Sequence, residues 1–457
     1  MRTSSRGHAV ALVGAGEFGA TFVAQARRVP DLDVRLVCDR DPQRAGAALR
    51  RAGYAPDEIA ECRTRAEALA ALERGAAAVI DDLALMADLP IRAVVEATGD
   101  PEAAAATAEQ ARASGCHIAL ATKEAEVVVG PILARRARAA GLVHTPVDGD
   151  QPSLLLGLVA RARLLGLPVI AAGKSTESDY VYDPERGILS CWGRSLEVPG
   201  YARLFRGGTG LRDVVAERPV ASLETATVPD RCEMAIVANH SDLEPDHPEF
   251  HAPVARVREL PDLFRPYGQG GLLERTGVVD VFTCLRRPDE LSFAGGVFVV
   301  VEAPDPDTGH FLAGKGIPGS DDGRTLLLHN PVHLLGVEAP ASLLAALRLG
   351  RGTGGEDVRP RFDLVARANR NLAPGEALDL GPRHTLPMAD PLVLPARTLG
   401  PDAPVPYYVA AGGRIRRPVP RGRILTLDDV EVDEGRALTR LRRAQDASFA
   451  AALGAQA

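Results

Sequence analysis

The stretch that decides the fold is Ala11–Ala20, ALVGAGEFGA, in which an apolar run leads into glycines spaced as GxGxxG. Gly14 permits a tight turn, Gly16 lets the backbone approach a pyrophosphate, and Gly19 lets the next helix pack closely on the strand. The pyrophosphate would rest on the amide groups of that helix start. The predicted contacts are Gly14, Gly16, Glu17, Phe18 and Gly19. In a chain with 45 glycines, a purely structural turn is the alternative.

Two further positions support the dinucleotide interpretation. Asp39 ends the next predicted strand and could accept hydrogen bonds from an adenosine ribose, which favours NAD. Arg40 follows at once and could face a 2′-phosphate, which favours NADP, so the choice stays open. Thr98 and Gly99 end a later strand and could pass close to the nicotinamide ribose, although a plain strand-to-helix turn is the alternative there.

Strands alternate with helices over the first third of the chain. The predicted strands are 8–13, 33–39, 91–99, 116–122 and 142–147. Asp41 and Pro42 form a typical cap and first-turn pair for a helix, and a further helix is predicted over 130–141. The alternation predicts an α/β fold with a Rossmann-type, doubly wound parallel sheet, and residues 1–150 as an NAD(P)-binding domain.

The pattern changes beyond residue 150. Residues 151–355 read as an α+β catalytic and oligomerisation domain, and residues 356–457 as a small β-rich domain. Within the last part, the pattern R-x-[LV]-x-x-G-x-x-L occurs at 370–378 and again at 417–425. Each copy predicts a strand that enters a glycine turn and leaves as a strand. A closing amphipathic helix is predicted over 438–453.

Composition excludes several classes of function. The 457 residues carry 53 basic and 60 acidic side chains, well mixed, so neither nucleic acid nor an anionic membrane is an expected partner. Six scattered cysteines lack zinc-ligand spacing and favour a reducing compartment, so a cytoplasmic location is expected. The most apolar later segment, 153–173, is interrupted by Arg161 and Arg163 and fails as a membrane span.

The candidate catalytic residues are Lys123, Asp148, Asp150 and Lys174. Each lysine follows or ends an apolar strand, where a cation could bind a substrate oxygen or protonate a forming alkoxide. The two aspartates flank a glycine and could hold a divalent ion or supply a general base. A surface lysine and a helix-capping aspartate are the simpler alternatives.

Three histidines fall in one acidic segment, ANHSDLEPDHPEFH. They are His240, His247 and His251. Their spacing does not match a standard metal motif, and we interpret the segment as a solvated loop.

The sequence also resembles known families. The stretches ALVGAGEFG, AVVEATGD and HIALATKEAEVVVGPIL resemble the first half of homoserine dehydrogenases. VDGDQP, AAGK and the tail with its doubled motif resemble the deoxyxylulose phosphate reductoisomerase-like (DRL) oxidoreductases, which end in a SAF-type β-clip domain. The resemblance implies an NAD(P)-dependent reductase that assembles as a homo-oligomer, with Lys123, Asp148, Asp150 and Lys174 in its active site.

Three functions therefore compete. The first is reduction of a carbonyl of a small, polar, hydroxylated substrate by NAD(P)H. If that substrate is a ketose phosphate, Asp148 and Asp150 could hold Mg²⁺ or Mn²⁺ during a rearrangement that precedes reduction. The second is alcohol oxidation of the homoserine dehydrogenase type, and the third is a non-catalytic nucleotide-binding sensor or scaffold.

Overall fold

The computed structural model describes residues 7–206, 210–355 and 358–454. Its first part is a seven-stranded sheet with the order β3-β4-β2-β1-β5-β6-β7, in which every pair is parallel. The strands are β1 (His8–Val13), β2 (Leu32–Cys38), β3 (Ile59–Glu61), β4 (Ala77–Ile80), β5 (Ala93–Glu96), β6 (His117–Leu120) and β7 (His144–Pro146). The helices are α1 (Glu17–Ala26), α2 (Pro42–Arg51), α3 (Arg65–Glu73), α4 (Pro101–Ala113) and α5 (Lys123–Ala139).

This architecture confirms the predicted doubly wound α/β fold. Asp41 caps α2 as expected, and its side chain accepts from the amides of Gln43 and Arg44. The prediction for α5 is wrong at its start, because the helix begins at Lys123 rather than near residue 130. Buried valines at 127–129 pack into the core and hold this part of the chain helical, although their β-branched side chains favour a strand.

The second part is built on a mixed eight-stranded sheet. Its strands are β8 (Val169–Asp183), β9 (Ile188–Cys191), β10 (Arg194–Glu197), β11 (Glu244–Pro245), β12 (Val254–Ala255), β13 (Val278–Arg286), β14 (Val297–Glu302) and β15 (Thr325–Asn330). Its helices are α6 (Gln151–Leu164), α7 (Tyr201–Arg206), α8 (Leu211–Ala216), α9 (Val228–Asn239), α10 (Leu260–Leu263), α11 (Pro306–Ala313) and α12 (Ala339–Leu344). Strand β8 pairs with β13 on one side and β14 on the other at Lys174, so this lysine lies in the middle of the sheet.

The chain returns to the parallel sheet before residue 355. Ala339 and Leu343 of α12 are fully buried in one core with Val10 and Leu12 of β1. Gly336 lies so close to α1 that a Cβ there would stand 2.1 Å from the carbonyl oxygen of Phe18. Residues 339–349 therefore pack in space with the first part, although they follow the second part in sequence.

The tail contains two small antiparallel sheets. Its elements are β16 (Phe362–Ala368), β17 (Ala389–Pro395), α13 (Tyr407–Ala410), β18 (Arg414–Ile415), β19 (Val430–Glu431), α14 (Ala437–Ser448) and α15 (Ala450–Gly454). Residues 356–357 and 455–457 of the predicted third domain lie outside the described residues.

The two copies of the tail motif pair with each other. Leu372 and Val419, at equivalent positions of the two copies, exchange backbone hydrogen bonds of 2.8 and 3.1 Å. Gly375 and Gly422 both have φ of +86°, a left-handed conformation that favours glycine. The repeated pattern thus encodes two similar glycine turns facing each other, while the SAF-type assignment stays a prediction.

Helix α14 attaches the tail to α5. The side-chain amide of Gln445 accepts from the Ile132 amide at 3.1 Å and donates to the Val128 carbonyl at 3.0 Å. It thus bonds to both backbone groups of the Ile132–Val128 pair, beside Pro131, which has no amide hydrogen of its own to donate. In the described part of the chain, no helix is long and apolar enough to cross a membrane.

Arg442 of α14 is fully buried and binds two carboxylates. Its guanidinium contacts both oxygens of Asp363, at 2.5 and 2.8 Å, and Oδ1 of Asp446 at 2.8 Å. These two carboxylates hold the pKa of Arg442 above its usual value although burial opposes them.

We expect Arg442→Met to lower the free energy of unfolding by about 3–5 kcal/mol, because it leaves two buried carboxylates without their cation. Arg443→Met is the matched control, since Arg443 is half-exposed and its partner Glu434 is exposed. That change should cost about 1 kcal/mol or less. Urea unfolding followed by circular dichroism measures both, and similar small losses in the two variants would contradict the assigned role of Arg442.

Candidate active site

A buried carboxylate organises the carboxyl edge of the parallel sheet. Glu96 accepts from the Thr98 amide and hydroxyl at 2.7 and 2.6 Å, and from the Thr122 hydroxyl at 2.9 Å. The Thr122 hydroxyl in turn accepts from the Gly99 amide at 3.0 Å. Burial raises the pKa of Glu96 despite these bonds. The loops after β5 and β6 are therefore fixed together immediately before Lys123.

The glycine loop has the geometry that the sequence predicts. A Cβ on Gly14 would stand 2.5 Å from the backbone of Ala97, and one on Gly19 would stand 2.1 Å from the carbonyl oxygen of Gly14. Both positions therefore require glycine for packing. Gly16, at the start of α1, has no atom within 4 Å of its would-be Cβ. Its backbone is open to approach by a ligand, as a pyrophosphate cradle requires.

The other predicted cofactor residues surround this loop. The carboxylate of Asp39 accepts from the amides of Ala15 and Asp41, at 2.7 and 2.9 Å, and so ties the end of β2 to the glycine loop. Arg40 is exposed beside it. Glu17 is exposed and Phe18 half-buried in the first turn of α1. Thr98 is half-buried and Gly99 exposed, at the carboxyl end of β5.

Three of the four predicted catalytic residues meet in one cluster. Lys123, the first residue of α5, contacts Oε1 of Glu233 and lies 3.8 Å from Oδ1 of Asp150. Lys174 contacts Oε2 of the same Glu233 and lies 2.9 Å from Oδ1 of Asp230. One glutamate on α9 therefore joins a lysine of the first part to a lysine of the second.

The two lysines differ in exposure. The Lys174 side chain is 1% exposed and that of Lys123 is 23% exposed. Burial alone would lower both pKa values, but Asp150 and Glu233 hold the pKa of Lys123 well above its usual value. Asp230 and Glu233 raise the pKa of Lys174 in the same way. Both ammonium groups stay charged, and that of Lys123 is the more exposed of the two.

The pKa values of Glu233 and Asp150 are shifted in opposite directions. Burial alone would raise the pKa of Glu233, but the ammonium groups of Lys123 and Lys174 lower it to about 2. Burial raises the pKa of Asp150 although Lys123 opposes this. The cluster holds three carboxylates against two ammonium groups, and burial favours the protonated form of Asp150 over that of Glu233.

Asp148 lies in a different hydrogen-bond network from Asp150. Its carboxylate accepts from the Ser153 hydroxyl at 2.5 Å, and its amide donates to the Ser342 hydroxyl at 2.7 Å. Gly149 between the aspartates has φ of +93°, and a Cβ there would stand 1.9 Å from the carbonyl oxygen of Leu335. The structure does not bring Asp148 into the lysine cluster, and the shared metal site of Asp148 and Asp150 stays a prediction.

Sequence reasoning missed Asp230 and Glu233. Both are buried on the inner side of α9, where they meet Lys174. Acidic residues three apart in a helix share a face, so the segment PDRCEM carried a usable signal. Such a pair is more often on the solvent face of a helix. Here α9 packs against β8, and this position brings the two carboxylates to Lys174.

His384 of the tail was also missed. Its Nδ1 lies 2.5 Å from Oε1 of Glu124, the neighbour of Lys123. Its ring carbon Cε1 lies 3.8 Å from the would-be Cβ of Gly99. Arg383 and His384 both have φ of +54°, which is rare for side chains of this size. The tail therefore reaches the edge of the candidate site, and no local sequence pattern marks this contact.

The solvated-loop interpretation is wrong for His240 and His251. His240 is buried, with Nε2 2.9 Å from Glu126 and Nδ1 2.6 Å from the Gly354 carbonyl. Nε2 of His144 contacts the other oxygen of Glu126 at 2.7 Å. His251 is largely buried against Asp280. The buried carboxylates of Glu126 and Asp280 require hydrogen-bond donors, and the imidazole rings around them supply these donors.

Residues 149–339 match the family model "Oxidoreductase DRL, catalytic domain". This match covers less than half of the chain. It confirms the prediction of an oxidoreductase catalytic domain and contains Asp150, Lys174, Asp230 and Glu233. The likeness to homoserine dehydrogenases is not tested by it. No curated protein matches the sequence.

Several solved structures are distantly similar. GenD2 from gentamicin A biosynthesis, in complex with NAD, has a TM-score of 0.35 and 16% identity over 77% of this chain and 90% of its own. The WlbA dehydrogenase from Bordetella pertussis, in complex with NADH and UDP-GlcNAcA, has a TM-score of 0.28 and 19% identity over 39% of this chain and 50% of its own. The 3-ketoreductase KijD10 from Actinomadura kijaniata, in complex with NADP, has a TM-score of 0.26 and 16% identity over 37% of this chain and 49% of its own. The chain thus matches about half the length of the last two proteins.

Proposed function

We propose that the chain is an NAD(P)-dependent oxidoreductase that reduces a carbonyl group of a small, polar, hydroxylated substrate. The observation that carries this proposal is the partly exposed ammonium group of Lys123, held by Glu233 and Asp150 at the carboxyl edge of the parallel sheet. Open α/β sheets bind their ligands at this edge. A fixed cation there is suited to stabilise the negative charge that develops on a carbonyl oxygen.

The residues of the glycine loop fit a nicotinamide dinucleotide. The open backbone at Gly16 leaves room for a diphosphate at the start of α1, and the close contact between Gly14 and the loop after β5 brings Thr98 beside it. When bound, the dinucleotide supplies the hydride. The choice between NAD and NADP depends on whether Asp39 or the exposed Arg40 faces the adenosine ribose.

Lys123 is assigned as the group that binds the carbonyl oxygen and protonates it. Its pKa is held high by two carboxylates, so the ammonium form is present throughout the neutral range. An alkoxide is far more basic than an amine, and transfer of the proton from Lys123 to it is downhill. The buried Lys174 does not reach a substrate and is assigned as a positioning residue for Glu233.

Asp150 is assigned as the group through which Lys123 regains its proton from water. It is ionised while Lys123 is charged, and it takes up a proton more readily once Lys123 has given its own away. It lies 3.8 Å from the ammonium nitrogen, and burial raises its pKa. A carboxyl group with a raised pKa holds a proton nearer to neutral pH than an ordinary aspartate does. The polar side chains nearby, including Gln151, which donates to Glu177 at 3.1 Å, favour a substrate with hydroxyl groups.

The predicted Mg²⁺ or Mn²⁺ site at Asp148 and Asp150 fits these side chains poorly. Asp150 faces the ammonium group of Lys123, and Asp148 accepts from Ser153 in a separate network. A second cation beside Lys123 would meet charge repulsion. We therefore assign no step to a metal, and a strict dependence of turnover on Mn²⁺ would favour the metal-assisted reductoisomerase alternative instead.

We expect Lys123→Met to lower kcat/KM by about 10²–10⁴-fold, because the cation and proton donor for the carbonyl oxygen are lost. The assay is oxidation of NADH or NADPH with a panel of ketoses and aldehydes. Lys315→Met is the matched control, because Lys315 is an exposed lysine of the second part. Full turnover in Lys123→Met would contradict the assignment, and absence of turnover in the unmodified protein would favour the sensor alternative.

We expect Gly16→Ala to leave the melting temperature unchanged and to weaken NADH or NADPH binding by about tenfold or more, which corresponds to about 1.4 kcal/mol. The added methyl group has free space in the protein, and the backbone φ of −68° at Gly16 suits alanine. The methyl group would therefore obstruct only a bound diphosphate. Gly157→Ala in α6, which also has free space, is the control. Equal nucleotide affinity in both variants, measured by calorimetry, would contradict the cofactor site.

A further inference from the structure

The segment that follows α9 gathers three metal-ligating side chains. Ligand atoms of Asp246, His247 and His251 all lie within 4.8 Å of one another. The segment continues into β12, which pairs with β13 and so fixes the end nearest His251. The proposed reaction uses none of these residues.

Asp280 of β13 fixes the orientation of His251. Its fully buried carboxylate lies 2.6 Å from His251 Nδ1 and also accepts from the backbone amide of His251 at 3.1 Å and that of Ala252 at 3.2 Å. A carboxylate bound to one imidazole nitrogen keeps the proton there and leaves the lone pair on the other, the arrangement that metal-binding histidines use. Nε2 of His251 is therefore the free ligand atom.

The free nitrogen of His251 faces a second carboxylate at an unusual distance. Nε2 lies 3.5 Å from Oδ2 of the buried Asp246, and it has no hydrogen-bond partner among the described residues. That separation is too long for a good hydrogen bond. Two ligand atoms, each about 2.1 Å from a tetrahedral zinc ion, stand about 3.4 Å apart. The spacing suits an ion between them.

The other two side chains complete three corners of a site. Asp246 is held in place by the amide of Glu274 at 2.8 Å and by Nε of Arg275 at 3.2 Å. The ring of His247 stands edge-on to that of His251, with centroids 4.8 Å apart, and is half-exposed. His247 therefore lies at the solvent side, where a water molecule would take the fourth position.

We propose that Asp246, His247 and His251 form a site for one divalent transition-metal ion of the zinc type, with Asp280 as the outer partner of His251. Two imidazole nitrogens and one carboxylate oxygen suit Zn²⁺, whereas Mg²⁺ prefers an all-oxygen set. The ion would fasten the segment after α9 to β13. This site is separate from Asp148 and Asp150, so it stands or falls independently of the proposed reaction.

The test is a calorimetric titration of the full, tag-free chain with Zn²⁺ and with Mg²⁺. We expect one Zn²⁺ per chain, a raised melting temperature, and no measurable Mg²⁺ binding at this site. His251→Ala and Asp246→Asn should weaken Zn²⁺ binding by at least about tenfold, and Asp280→Asn by about 10–100-fold. His329→Ala, which removes an exposed histidine elsewhere, should bind as the unmodified protein does.

The variant His247→Ala tests the site even if the variants at buried residues fail to fold. The ring of His247 is half-exposed, so its removal should cost little packing. We expect this variant to keep its circular dichroism spectrum and to lose Zn²⁺ affinity. A visible absorption band of bound Co²⁺ that disappears in His247→Ala would support the same ligand set. Failure of the unmodified protein to bind Zn²⁺, or equal affinity in His251→Ala and His329→Ala, would overturn the proposal.

Discussion

The contact on which the rest of this molecule depends is the double ion pair of Glu233. One carboxylate oxygen meets Lys123 and the other meets Lys174. Removing three charged groups from water is costly, and the cost is offset only while each charge keeps its partner. Because Lys123 begins α5, Lys174 lies in β8 and Glu233 lies in α9, this requirement fixes the second part of the chain against the edge of the parallel sheet. Charge pairing therefore sets the geometry around Lys123.

Helix α5 carries that constraint to the tail. Lys123 and Glu124 at its start contact Glu233 and His384, and its backbone near residue 130 is completed by Gln445 of α14. Pro131 would weaken an isolated helix by removing one of its donors. The tail therefore supplies the Gln445 amide, which bonds to the backbone of α5, and the His384 ring, which lies at the edge of the candidate site. The β-rich tail thus contributes to the geometry around Lys123.

The sequence predicted the features that local chemistry determines. The glycines of the loop, the cap at Asp41 and the doubled tail motif each follow from backbone requirements of a few neighbouring residues. Lys123 and Asp150 come after parallel strands, as expected, whereas Lys174 lies inside β8 and not at the end of a strand. Glu233 and His384 depend on contacts between residues that are 59 to 260 positions apart in the chain. The spacing of Asp230 and Glu233 indicates a shared helix face, but it does not indicate what that face contacts. The start of α5 was misjudged because burial of its valines outweighs their preference for strands.

The unequal exposure of the two lysines suits a proton-donating site better than two equivalent lysines would. If Lys123 alone faced Glu233, loss of its proton would leave a buried carboxylate without a cation, and the proton would be held back. The buried Lys174 gives Glu233 a second ion-pair partner, although it shares its charge with Asp230. In the proposed reaction, Glu233 therefore keeps one ammonium partner after Lys123 has given its proton to the substrate. In the proposed reaction, Asp150, whose carboxylate lies 3.8 Å from that nitrogen and whose pKa is raised by burial, passes on the proton that restores Lys123.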